Sequence, residues 1–151
     1  MLDGISMGCT TVLLATELDL PDQVKAVVAD CGFTSAWEQI KHTIKTNMRL
    51  PAFPSLYLVS LFARIFAGIR LRGCDTRKAM EKNTTVPVFF ATGTRDRVVP
   101  PEMTKQNYEA CRAPKMLLLT EAAHGMSYLA AKAEYEKQLE DFLEGCLKQI
   151  D

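Results

Sequence analysis

The chain has no excess of either charge: 18 lysines and arginines stand against 18 aspartates and glutamates in 151 residues. No basic block or acidic tail stands out, which argues against nucleic acid or a membrane surface as the main partner. No C-x-x-C pair occurs, and the five cysteines (Cys9, Cys31, Cys74, Cys111, Cys146) are scattered and odd in number. That usage disfavours a disulfide framework or a zinc site and suits reduced thiols in the cytoplasm. No metal or other cofactor is expected. The N-terminus lacks the basic segment and apolar run of a signal peptide. No apolar run reaches the ~20 residues of a membrane span. The nearest, SLYLVSLFARIFAGI, holds 15 residues, is interrupted by Arg64 and follows Pro51 and Pro54. Its Leu58, Leu61, Phe62, Ile65, Phe66 and Ile69 share one helical face, with Ser60 and Arg64 opposite, as in an amphipathic helix. Histidine is scarce, with His42 and His124 only.

What is present is 48% hydrophobic residues, enough for the core of one domain covering residues 1–151. Strand-like and helix-like segments alternate. After GISMG comes the helical GCTTVLLATEL, and VKAVVADCG from Val24 reads as a short buried strand. Ser35, with Glu38 three residues on, opens a helix to about Asn47. A further helix starts after Asp75, and VPVFFATG from Val86 is the next strand. A helix from Pro101, the strand KMLLLT, and a long helix striped with Tyr135, Leu139, Phe142, Leu143, Cys146 and Ile150 complete the chain. Such alternation implies an α/β fold, a mostly parallel sheet of about four strands flanked by helices. The piece from about 33 to 83 is too long for a simple crossover and reads as a helical cap insertion.

GISMG, Gly4 to Gly8, has the G-x-S-x-G spacing of a nucleophile elbow, where a strand turns sharply into a helix and exposes a serine. By average composition this pattern arises by chance in roughly one chain of this length in twenty, so Ser6 needs partners. A serine hydroxyl needs a base, and the base an orienting acid. His42 lies mid-helix among polar neighbours and reads as a surface residue. His124, in TEAAHGMS, follows the last strand, and Asp96, in TGTRDRVVP, follows the strand before it. All three candidates therefore end strands at the carboxyl edge of one sheet, where parallel sheets bind ligands. Their order, Ser6 then Asp96 then His124, is that of the α/β-hydrolase triad.

Together GISMG, ADCGFTS, PVFFATGTRDRVVPPEM and EAAHGMSY resemble the C-terminal half of an α/β-hydrolase of the bacterial serine esterase or peptidase-like kind. The resemblance implies acyl transfer on a small-molecule acyl substrate. Ser6 would attack the carbonyl, His124 would carry the proton, Asp96 would hold His124, and the backbone N–H of Met7 would donate to the oxyanion. Asp30, at the end of the earlier strand, is an alternative acid, because some members of the superfamily place it there.

Members carry several strands before the elbow, and a loop among them supplies a second oxyanion donor. Here only MLD precedes Gly4. The expectation is a truncated fold with impaired hydrolysis, or a catalytically inactive half-fold serving as an interaction module. Either way the sheet edge near Met1 to Gly4 is expected to pair with another copy of the chain.

Overall fold

The structure, a computed structural model, describes residues 1–147. Four strands, β1 (Leu2–Ile5), β2 (Val27–Asp30), β3 (Val88–Gly93) and β4 (Lys115–Thr120), form one sheet in the order β1-β2-β3-β4. Every neighbouring pair is parallel. Seven helices flank the sheet among the described residues: α1 (Met7–Ala15), α2 (Ala36–Thr46), α3 (Ala52–Ala67), α4 (Thr76–Lys82), α5 (Pro101–Ala110), α6 (Ser127–Ala130) and α7 (Lys132–Leu147). This is the α/β class that the alternation predicts.

The two central strands are buried at every residue, and their side chains alternate between two cores. Val27, Ala29, Val88 and Phe90 pack on one face against Cys9 and Leu13 of α1 and Ala79 and Met80 of α4. Val28, Phe89 and Ala91 pack on the other against Tyr135, Phe142 and Cys146 of α7. Phe89 meets the rings of Tyr135 and Phe142 at centroid distances of 5.5 and 5.7 Å. A sheet covered on both sides needs strands that are apolar throughout, which is why FFATG carries no alternation of polar residues. Ile150, the last residue of the expected α7 stripe, lies outside the described residues.

The expected helix after Ser35 forms, with Ser35 Oγ accepting from the Glu38 backbone N–H at 3.2 Å. The Glu38 carboxylate does not return to Ser35, however. It accepts from the Thr34 hydroxyl and pairs with Arg77 at 3.3 Å. Ser35 also forms an antiparallel bridge with Asp75, and the Thr76 N–H donates to the Thr34 carbonyl at 2.9 Å. Residues 35 and 75 therefore clamp together the two ends of an excursion that contains α2 and α3. Beyond the clamp, α4 returns to the sheet and joins its core.

Three details differ from the sequence reading. β2 begins at Val27 rather than Val24, because the Val24 N–H closes a turn on the Pro21 carbonyl at 2.8 Å. The short α6 was not foreseen. The apolar face of α3 points to solvent: Phe66 is 81% and Ile65 63% exposed, and within α3 only Leu56 is buried. Among the described residues no helix is long and apolar enough to cross a membrane.

Candidate active site

Ser6 occupies the turn between β1 and α1 with φ 57° and ψ −115°, a conformation that non-glycine residues rarely adopt. The Ser6 N–H donates to the Asp30 carbonyl at 2.8 Å, extending the β1–β2 ladder, while the Ser6 carbonyl accepts from the Thr10 N–H at 3.1 Å. Strand and helix thus pull on the serine from both sides. Gly4 makes the approach possible: a Cβ there would lie 2.4 Å from the backbone of Gly8. The first glycine of GISMG is therefore required by the close crossing of β1 and α1.

Asp96 sits in the turn after β3, its N–H donating to the Gly93 carbonyl at 3.1 Å. Its side chain is fully buried, and Oδ1 accepts from the backbone N–H groups of Val98 and Val99 at 2.8 and 2.9 Å. His124 follows β4 in a loop tied back by the Arg95 N–H, which donates to the Ala122 carbonyl at 3.0 Å. The imidazole bridges the other two residues. Nδ1 lies 2.6 Å from Asp96 Oδ2, and Nε2 lies 2.8 Å from Ser6 Oγ. A carboxylate only accepts, so Nδ1 carries the proton and Nε2 is left to accept from the Ser6 hydroxyl. Ser6, Asp96 and His124 come from three different strand ends and meet within hydrogen-bond distance.

The other candidates fall elsewhere. Asp30 is buried and does not hold the imidazole; its Oδ1 accepts from Ser127 Oγ at 3.2 Å. Burial pushes its carboxyl above the usual range, with the Ser127 hydrogen bond acting in the opposite direction. Ser127 comes from α6, the helix that the sequence did not reveal. Met7 is the first residue of α1, where helix N–H groups lack intrahelical acceptors, at the position expected of an oxyanion donor. His42 is half-buried rather than a free surface residue: its Nε2 lies 3.3 Å from the Arg97 carbonyl, beside Asp96. The Gln39 amide donates to the Val98 carbonyl at 2.8 Å, so α2 rests on the loop that carries the acid.

Cys31 is the residue closest to a metal-ligand arrangement. Its sulfur and ligand atoms of Asp96 and His124 lie within 4.8 Å of one another. A metal there would have to replace the hydrogen bond between Asp96 and His124. Burial pushes the Cys31 thiol up to about 12, so it stays protonated at neutral pH. Cys9 and Cys111 are raised for the same reason, while Cys74 is exposed. Iodoacetamide is therefore expected to modify one thiol rapidly in the native chain, Cys74, and all five in denaturant; mass spectrometry of the digested adduct checks this.

The sequence model of the family described as Serine hydrolase (FSH1) matches residues 4–130. Protein YqkD of Bacillus subtilis (strain 168) is 31% identical over 144 residues, which cover 95% of this chain and 47% of YqkD. The esterase Pf2001 of Pyrococcus furiosus superposes on 94% of the chain and 52% of its own with a TM-score of 0.68 at 21% identity. The acylaminoacyl peptidase of Pyrococcus horikoshii superposes on 94% of the chain and 22% of its own, with a TM-score of 0.62 at 18% identity. These structural likenesses show a shared fold. The chain spans about half the length of YqkD and of Pf2001. By the family match across most of its residues, and by its fold, the chain belongs to the serine hydrolase (FSH1) family of the α/β-hydrolase superfamily.

Proposed function

We propose that Ser6, His124 and Asp96 are the catalytic triad of a hydrolase for carboxylic esters or related acyl compounds. The observation that carries this reading is the imidazole of His124, held between Ser6 Oγ at 2.8 Å and Asp96 Oδ2 at 2.6 Å. Ser6 Oγ attacks the substrate carbonyl as Nε2 takes its proton, giving a tetrahedral oxyanion and an imidazolium paired with Asp96. The Met7 N–H donates to that oxyanion. Collapse expels the alcohol, which takes the proton from Nε2 and leaves an acyl-serine. Water, activated by the same nitrogen, then releases the acid and restores Ser6. A fluorophosphonate probe tests the reading without needing a substrate pocket. One adduct, mapped to Ser6, is expected on the folded chain; no adduct, or an adduct unchanged in Ser6→Ala, refutes it.

A second reading, that of an interaction module, is favoured by β1, which stands at the edge of the described sheet. Beside it lies a groove of about 300 Å³ lined by Asp3, Ile5, Tyr128, Tyr135 and Leu139, among others. Met1 and Ile5 are more than half exposed there. An open edge flanked by apolar surface pairs readily with another strand. The chain is accordingly expected to form a homo-oligomer at micromolar concentration, and Ile5→Lys to shift it towards monomer. Light scattering that finds a strict monomer for the unsubstituted chain excludes this reading.

A further inference from the structure

The zero net charge of the chain conceals a local asymmetry. Between Glu38 and Asp75 there is no acidic residue, yet the stretch carries Lys41, Lys45, Arg49, Arg64, Arg70 and Arg72. All six are exposed, and none makes an ion pair among the described residues. This is the excursion closed by the clamp at residues 35 and 75, and α3 lies at its centre. Phe53, Leu61, Phe62, Ile65, Phe66 and Ile69 are each at least half exposed. Exposed apolar side chains in a segment whose only charges are cations suit the boundary between acyl chains and anionic headgroups.

We propose that α3 and its flanking arginines dock the protein on an anionic phospholipid bilayer, with the helix lying in the plane of the interface. Phe53 has extended backbone angles and breaks the first turn, so the continuous part of α3 covers residues 54–67, about 21 Å at 1.5 Å per residue, suited to lying on a bilayer rather than spanning it. Tyr57 meets Trp37 of α2 edge to face at 5.5 Å, the Arg72 guanidinium lies over the Trp37 ring at 3.8 Å, and Leu56 is buried. One side of α3 is thereby fixed to α2 and the opposite side left free. A second copy of the chain is the poorer occupant. A twofold contact sets each patch against itself, and here it would set cations against cations. The excursion leaves the sheet after β2 and rests on the Arg97 and Val98 carbonyls after β3, at the edge that holds Ser6, Asp96 and His124. Docking through α3 would bring that edge towards the bilayer. The docking itself holds whether or not Ser6 turns over an ester.

Co-sedimentation with vesicles tests it, using phosphatidylcholine alone and an equimolar mixture with phosphatidylglycerol, each at low and high salt. Trp37, the single tryptophan, reports the same event by fluorescence because it lies against the base of α3. Binding to the anionic vesicles is expected, weakened by salt, with far less on phosphatidylcholine. Phe62→Ser/Phe66→Ser should weaken it about tenfold or more, through the loss of exposed apolar contacts only. Arg49→Gln/Arg70→Gln should weaken it on anionic vesicles by about fivefold per cation removed. Both pairs are exposed, and unchanged circular dichroism verifies the fold. The proposal is overturned by no binding to anionic vesicles, or by binding indifferent to phosphatidylglycerol and salt. It is overturned equally by full binding of the Phe62→Ser/Phe66→Ser variant. A dimer in the absence of lipid that this variant dissolves would assign the face to a second copy, and binding of polyglutamate without binding of vesicles would assign it to an acidic protein.

Discussion

Asp96→Asn is expected to slow the capture of Ser6 by a fluorophosphonate, and the hydrolysis of nitrophenyl acetate, by roughly 10,000-fold while leaving the fold intact. The reason lies in how the side chain is held. Oδ1 accepts from two backbone N–H groups, those of Val98 and Val99, and only an oxygen can take that place. In asparagine the amide oxygen must therefore occupy it, which turns the NH₂ group towards His124. Two donors cannot share a hydrogen bond, so Nδ1 becomes the acceptor and the ring proton moves to Nε2. Nε2 then donates to Ser6 Oγ and can no longer take its proton. The substitution inverts the tautomer without altering shape, so thermal unfolding should stay close to that of the unsubstituted chain. Ser6→Ala should remove capture and turnover altogether, leaving background. Asp30→Asn should slow capture far less, since Asp30 bonds to Ser127 and not to the imidazole. Wild-type rates in Asp96→Asn, or equal losses in Asp96→Asn and Asp30→Asn, would remove Asp96 from the triad.

The order of effects across these variants also marks where sequence is informative. GISMG is legible because the elbow is a local device: strand, strained serine and helix lie within a few residues, and Gly4 is dictated by a contact four residues away. Asp96 and His124 are legible because each directly follows an apolar run that reads as a buried strand, and parallel strands collect their ends at one edge. The sequence favours Asp96 over Asp30 as the acid, but shows no physical reason for Asp30 to lie elsewhere. Both end strands, and what separates them is Ser127, on a four-residue helix too short to carry a periodic pattern. His42 misleads for a related reason. Its neighbours in sequence are polar, and its partner, the Arg97 carbonyl, is 55 residues away. The heptad-like spacing of α3 identifies an apolar face correctly but contains nothing about what that face meets. Burial is decided by the neighbours that the fold supplies, and α2 covers only the Leu56 and Tyr57 side.

Gly93→Ala is expected to lower the rate of Ser6 capture by about 100-fold, although Gly93 meets the proposed triad only through its carbonyl, which accepts from the Asp96 backbone N–H. Gly93 is the last residue of β3 and pairs with Thr120 of β4. Just beyond, the chain after β4 folds back across it. A Cβ at Gly93 would lie 2.2 Å from the Ala122 carbonyl oxygen, 2.7 Å from its carbon and 3.0 Å from the Ala123 oxygen. All three atoms are backbone, so no side chain can rotate away and the loop itself must move. That loop is also fixed by the Arg95 N–H on the Ala122 carbonyl, and two residues later it presents His124. The imidazole makes its contacts to Ser6 and Asp96 at 2.8 and 2.6 Å, and a displacement of about 1 Å breaks the alignment of both. Overpacking of this kind costs about 1–3 kcal/mol in unfolding free energy, which urea denaturation measures. Gly145→Ala provides the control: nothing lies within 4 Å of a Cβ there, and α7 gains rather than loses from the exchange. If Gly93→Ala captures the probe at the rate of Gly145→Ala, the His124 loop is compliant, and the close packing of backbone on backbone does not set the geometry of the triad.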